Sequence, residues 1–197
     1  MFLTNKSFTY EIQKRINKPM WRFLILIGLI STMISAYACG GSDSNLLISG
    51  GRSLEIRVTL PEIVDNVEFI DATGARRIIR PKATNMQLVV VNVTIANRSS
   101  TIIPVLVDDK AALIGDRRGD RIYALNAYDV AKLVDPAEPK NPNQGKYAPI
   151  LHGEIELSKD YQASGWMIFE VPRGLKLGSF WWKEVDSVVI DYSDYLD

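Results

Sequence analysis

Chemistry needs reactive side chains that converge, and this chain holds few candidates. Cys39 is its only cysteine and His152 its only histidine. A single cysteine excludes an internal disulfide and any zinc site built from several thiolates. A Ser-His-Asp arrangement would have to be assembled on His152, in HGEIEL at a strand start, and no G-x-S-x-G elbow supplies the serine. His152 therefore reads as a loop-edge residue, and no enzymatic activity is expected. Asp108 and Asp109 are adjacent, so on a strand they point to opposite faces and read as a solvated turn. The C-terminal DYSDYLD gathers Asp191, Ser193, Asp194 and Asp197, which are oxygen ligands of the kind calcium takes. It lacks the glycine turn and glutamate of an EF-hand loop. An acidic tail is the simpler reading, and neither metal nor cofactor is expected. Arg118-Gly119-Asp120 spells the integrin-recognition triplet, but Gly119 is already explained by a hairpin turn. That leaves Trp181 and Trp182, flanked by Phe180. On a strand one indole faces inward and the other outward. An exposed indole stacks on sugars or anchors a protein partner. Trp181 and Trp182 thus mark the candidate binding face.

Cys39 is placed where an apolar run stops and a Gly/Ser stretch begins. Phe23 to Ala38, FLILIGLISTMISAYA, carries no charge. It is short for a membrane-spanning helix, which needs roughly 20 apolar residues. It suits a signal-peptide core, with basic residues before it and small residues Ala36 and Ala38 around Tyr37. Ala36-Tyr37-Ala38-Cys39 resembles a lipobox, the site of bacterial lipoprotein processing. The resemblance implies a diacylglycerol on the Cys39 thiol, cleavage before it, and GGSDSN as the start of a tether. It departs from the family at Ala36, usually leucine, and at the bulky Tyr37. Stable anchoring takes two acyl chains, which a diacylated cysteine supplies. Cleavage by the ordinary signal peptidase with Cys39 incidental, and an uncleaved anchor, are the alternatives. Residues 1–38 are read as signal peptide and 39–53 as lipidated cysteine and flexible tether. Met20, which opens the compact signal start MWRFLILIGL, is a candidate for the natural start.

Charge divides along the chain. Lys6, Lys14, Arg15, Lys18 and Arg22 stand against Glu11 in the first 38 residues, while the remainder is net acidic and the whole is neutral. A mildly acidic body argues against nucleic acid as partner, because that affinity rests on clustered Lys and Arg.

The elements that must position the aromatic pair are strands. Leu54, Ile56, Val58 and Leu60 alternate with Glu55, Arg57 and Thr59 in a strand that Pro61 should end. Val67 to Asp71 and Arg76 to Arg80 are short candidates around Thr73-Gly74. Met86 to Asn97, MQLVVVNVTIAN, is the strongest. Val89, Val91, Val93 and Ile95 share one apolar face, and Leu88, Val90, Asn92, Thr94 and Ala96 share a mixed one. Thr101 to Val107 follows, and Ala111 to Ile114 and Arg121 to Leu125 flank the GDRRGD hairpin. Glu154 to Leu157, Trp166 to Val171 and Val185 to Tyr192 follow in turn. Met167, Phe169 and Val171 lie opposite Trp166 and Ile168. Ala127 to Val134 suits one or two helical turns. Asp135 to Pro149 is proline-rich and reads as a long exposed loop. The sequons at Asn92 and Asn97 are read as structural.

Eight to ten such strands predict an all-β, immunoglobulin-like antiparallel β-sandwich over 54–197, after an N-terminal signal or anchor helix. VVVNVTIANRSS, DRRGDRIY and GWMIFEVP resemble the immunoglobulin-like domain-of-unknown-function family of bacterial surface and secreted lipoproteins, whose structural relatives include the mycobacterial secreted-antigen type of sandwich. The insertion at 135–149 departs from it. That family has no established catalytic residues, so the resemblance implies none. The expectation is a module displayed at the membrane surface through the lipid on Cys39, contacting another protein or an envelope polymer through its loops. A carrier of a small ligand or metal ion is the alternative.

Overall fold

The computed structural model describes residues 46–135, 137–139 and 145–196. The signal segment, Met20, Cys39, residues 140–144 and Asp197 lie outside the described residues. The architecture is all-β and antiparallel, with fourteen strands and one helical turn among the described residues.

The central sheet is built on β6 (Met86–Asn97), whose bounds match the sequence reading residue for residue. One edge of β6 pairs with β12 (Gln162–Pro172) along eleven residues, from Gln162 opposite Ala96 to Pro172 opposite Met86. The other edge takes β2 (Leu54–Thr59) and then β3 (Glu62–Val64). β2 ends just before Pro61, as expected, and a separate short strand follows it on the same edge. Proline lacks the N–H a ladder needs, and pairing resumes one residue later. β1 (Leu46–Gly50) pairs with β2, Leu46 opposite Thr59 and Gly50 opposite Glu55. This corrects the tether reading over 46–50, residues 39–45 lying outside the described residues. Leu46, Leu47 and Ile48 suit a strand, and β2 offers them a free edge.

A second sheet runs in the order β14 (Val188–Asp191), β13 (Leu177–Trp182), β8 (Ala112–Asp116), β9 (Arg121–Tyr123). β7 (Ile103–Val107) pairs with β11 (Gly153–Leu157). β4 (Val67–Ile70), β5 (Arg76–Ile79) and β10 (Lys132–Leu133) form a small third sheet. α1 (Ala127–Val130) is a single turn capped by Asn126, whose side chain accepts from the Tyr128 N–H.

The alternation along β6 separates two cores. Val89, Val91, Val93 and Ile95 face Phe180, Trp182, Val188 and Ile190 of the second sheet and Ile103, Val105 and Val107 of β7. Met167, Phe169 and Val171 of β12 join this cluster. Leu88, Val90 and Ile168 face the other way and pack with Val67, Phe69, Ile79, Ala127 and Tyr147. Each fully buried Val, Ile or Phe contributes about 1.5–3 kcal/mol of apolar burial.

Buried polar groups tie the turns together. The side chain of Asn97, wholly buried, donates to the carbonyls of Thr101 and Leu157 and accepts from Ser99. The NRS sequon is thus a turn anchor. Asp186 accepts from the N–H groups of Ser53 and Leu54 and fastens the β1–β2 turn to the loop before β14. The loop 135–149 is less free than its composition implies. Tyr147 is buried in the smaller core, edge-on to Trp166 with ring centroids 5.1 Å apart, and Lys146 reaches Glu62 at 2.6 Å.

Candidate functional site

Trp182 and Trp181 part company as β13 alternates. Trp182 is wholly buried beside Phe180, and its indole N–H donates to the Glu184 carbonyl at 2.8 Å. It belongs to the core and leaves the candidate binding face. Trp181 is half-buried on the opposite side of the sheet. Cross-strand register sets its neighbours. Val189, Trp181, Leu113 and Tyr123 lie in one row across the four strands, and Asp191, Ser179, Gly115 and Arg121 lie in the next.

The two rows interlock through the indole. Its N–H donates to the Ser179 hydroxyl at 2.8 Å, and the Arg121 guanidinium stacks 3.8 Å from the ring centroid. Gly115 makes the floor. A methyl group there would sit 2.6 Å from the Ser179 hydroxyl oxygen and 3.4 Å from the indole nitrogen. Tyr123 and Val189 extend the row outward, at 49% and 41% exposure, and Lys183 lies 5.9 Å from the Tyr123 ring. At one end Asp191 is held below the usual carboxylate range, first by the Ser193 hydroxyl and then by the Ser193 N–H. It therefore stays charged. Cation–π contacts at such exposed sites are worth about 0.5–1 kcal/mol. The arrangement is an indole fixed by two partners, edged by cations and closed by an anion. With Arg121 stacked on the indole, the face offers a partner the exposed Tyr123 and Val189 ringed by charged groups, without any bond-making chemistry.

Trp181 was legible in the sequence, but Arg121, Tyr123, Lys183 and Val189 were not. Arg121 and Tyr123 share a face by simple alternation. Their meeting with Trp181 depends on the β8–β9 and β8–β13 registers, which no local pattern specifies.

The remaining candidates fall into turns. His152 is exposed, its ring 5.5 Å from that of Tyr128. Asp108 accepts from the Lys110 N–H in a tight turn. Arg118, Gly119 and Asp120 form the β8–β9 tip, with Gly119 at φ 99° and the Asp116 carboxylate accepting from the N–H groups of Arg118 and Asp120. Among the described residues no group of three or more His, Cys, Asp or Glu is placed to hold a metal ion.

A hollow of about 420 Å³ lies elsewhere, between β5, α1 and β12. Ile78, Ile79, Leu125 and Val130 line it, with Arg80, Lys82, Lys132 and Glu170 at its rim. Two of these cations have partners. The Lys82 ammonium lies 3.8 Å from Glu170, which also accepts the Lys82 backbone N–H, and Arg80 lies 4.0 Å from Glu138.

No family model matches the chain, and no curated protein matches it. Among solved structures, the chain is similar to a conserved hypothetical protein from Bacillus anthracis, with a TM-score of 0.42 and 10% identity over 76% of this chain and 89% of that one.

Proposed function

We propose that this protein is a membrane-anchored extracytoplasmic lipoprotein whose immunoglobulin-like sandwich is a binding module for another protein or an envelope polymer. The observation that carries the binding role is Trp181. A large indole is held rigidly on an outward sheet face between Arg121 and Ser179, beside exposed Tyr123 and Val189. Preorganised aromatic anchors of this kind dominate interface energetics because little side-chain entropy remains to be lost on binding. The anchoring role rests on AYAC at the end of a short apolar run.

Two measurements test the reading. Cys39→Ser should move the protein out of the membrane fraction, and mature-sized protein still sedimenting with membranes would refute thiol anchoring. Trp181→Ala should weaken capture in cross-linking pull-down from native membranes by about 2 kcal/mol or more, with the melting temperature nearly unchanged. Undiminished capture would remove this face as the site.

A second reading, a small-ligand carrier, has its support in the hollow beside β5. It joins an apolar floor to a charged rim, as ligand sites commonly do. It ranks lower because, among the described residues, no side chain in the hollow is held in place as Trp181 is held by Arg121 and Ser179. Ile78→Trp, which fills the hollow, would abolish a carrier's ligand binding and leave partner capture intact.

A further inference from the structure

The chain body is acidic, yet four cations gather at one cleft. The β8–β9 tip contributes Arg117 and Arg118, and the β12–β13 loop contributes Arg173 and Lys176. Between them is a depression of about 330 Å³. Among the described residues Asp116 is the single acid lining it, and its carboxylate is already committed to the turn N–H groups of Arg118 and Asp120. Among the described residues Arg117, Arg118 and Lys176 take part in no ion pair. Arg173 donates to the Thr84 carbonyl and pairs at 3.1 Å with Asp65, whose side chain is 81% exposed. Pairs so exposed hold their charges loosely.

The walls of the cleft are fixed. The Arg117 N–H donates to the Lys176 carbonyl at 3.0 Å, joining the two loops. Gly178 lets β13 start against the hairpin, since a methyl group there would lie 3.1 Å from the Asp116 backbone. The Arg117 guanidinium donates to the Leu196 carbonyl and so leans toward the C-terminal turn.

That lean opens onto a second depression, of about 170 Å³, which shares Arg117, Leu175 and Lys176 with the first. Among the described residues the rest of its lining is apolar, namely Pro61, Ile63, Leu177 and Leu196. Ile63 is 57% exposed although it sits in β3. A cationic cleft that shares Arg117, Leu175 and Lys176 with a neighbouring apolar one matches a ligand with an anionic head and a hydrocarbon tail. Guanidinium forks suit phosphate oxygens, and several cations against one committed acid suit a headgroup carrying more than one negative charge.

We propose that this double cleft binds a phosphate-bearing amphiphile, with its headgroup between Arg118, Arg173 and Lys176 and the start of its chain against Ile63 and Leu175. The proposal does not depend on Cys39 or Trp181. The two sources of such chemistry, a lipid headgroup and a free phosphate ester, are separated by the probes. Full-length protein in an uncharged detergent would be titrated calorimetrically with dihexanoyl phosphatidic acid, dihexanoyl phosphatidylcholine and glycerol 3-phosphate. Phosphatidic acid should bind about tenfold or more tighter than the other two. The double variant Arg118→Glu, Lys176→Glu should lose about tenfold or more for each charge-assisted contact removed. Ile63→Ser should bring phosphatidic acid down toward glycerol 3-phosphate. All these side chains are exposed, and an unchanged melting temperature confirms that the variants fold; otherwise Arg118→Gln, Lys176→Gln replaces the double variant. Glycerol 3-phosphate binding as tightly as the lipid would overturn the amphiphile assignment. Phosphatidylcholine binding equally well, or charge reversal without effect, would overturn the cleft itself.

Discussion

Tyr192 is wholly buried, and its hydroxyl meets no hydrogen-bond partner among the described residues. Burial alone pushes its ionisation far above that of an ordinary phenol. A buried hydroxyl left unpaired costs about 1–3 kcal/mol, so Tyr192→Phe should stabilise the fold by about 1 kcal/mol. A urea titration reads this as a higher midpoint at constant slope, and a lower midpoint would reveal a partner for the hydroxyl. Asp71 is the opposite case. Its carboxylate accepts from the Thr73 hydroxyl, the Arg77 guanidinium and the N–H groups of Thr73 and Ala75, which hold its pKa well below the usual carboxylate range. A depressed folded-state pKa contributes stability above the unfolded value of about 4, and that contribution fades as pH falls below it. The stability gap between wild type and Asp71→Asn should therefore be full at pH 7 and shrink toward pH 2, and a gap constant across that range would contradict the assignment. At this scale the sequence announced its scarcities well, a single thiol and a single imidazole. It showed that one of Trp181 and Trp182 faces inward but not which, because that choice depends on how β13 pairs with β8, a strand distant in sequence.

Gly165 shows what an element asks of one position. β12 carries it opposite Val93, where the segment Pro149–Leu151 crosses close by. The Trp166 N–H donates to the Pro149 carbonyl at 2.8 Å, and the Leu151 N–H donates to the Trp166 carbonyl at 3.0 Å. A methyl group on Gly165 would lie 2.8 Å from the Leu151 nitrogen and 2.9 Å from the Pro149 oxygen. Gly165→Ala should thus cost about 1–3 kcal/mol through overpacking, measured as a fall in melting temperature, with the parallel crossing at Ile150 the first contact to loosen. A neutral result would mean that this crossing gives way easily. Long strands with β-branched alternation were readable, and β6 has the bounds read from the sequence. β1, β3 and β10 were not, because strands of two to five residues owe their existence to the edge they meet. Leu46–Gly50 looks like linker until β2 is there to pair with it.

For the molecule as a whole, the two faces of β6 were visible as an apolar row and a mixed row. The mixed row proved to carry a second core, because the small β4–β5–β10 sheet and Tyr147 cover Leu88 and Val90. Tyr147 comes from a segment whose prolines suggest solvent, so composition pointed away from its part in that coverage. Since β6 and β12 serve both clusters, neither cluster is able to come apart alone. The slowest amides of β6 should exchange with deuterium only through global opening, with Val90 and Val91 showing equal free energies. Ile79→Ala, a cavity of about 2–5 kcal/mol in the smaller cluster, should lower protection equally at Phe180 across the larger one. Protection lost near β5 alone would mean two separately melting parts. In kinetic terms, a backbone shared by both clusters makes the chain wait for its most distant pairings before either half gains stability, so this domain should fold slowly and unfold in a single step.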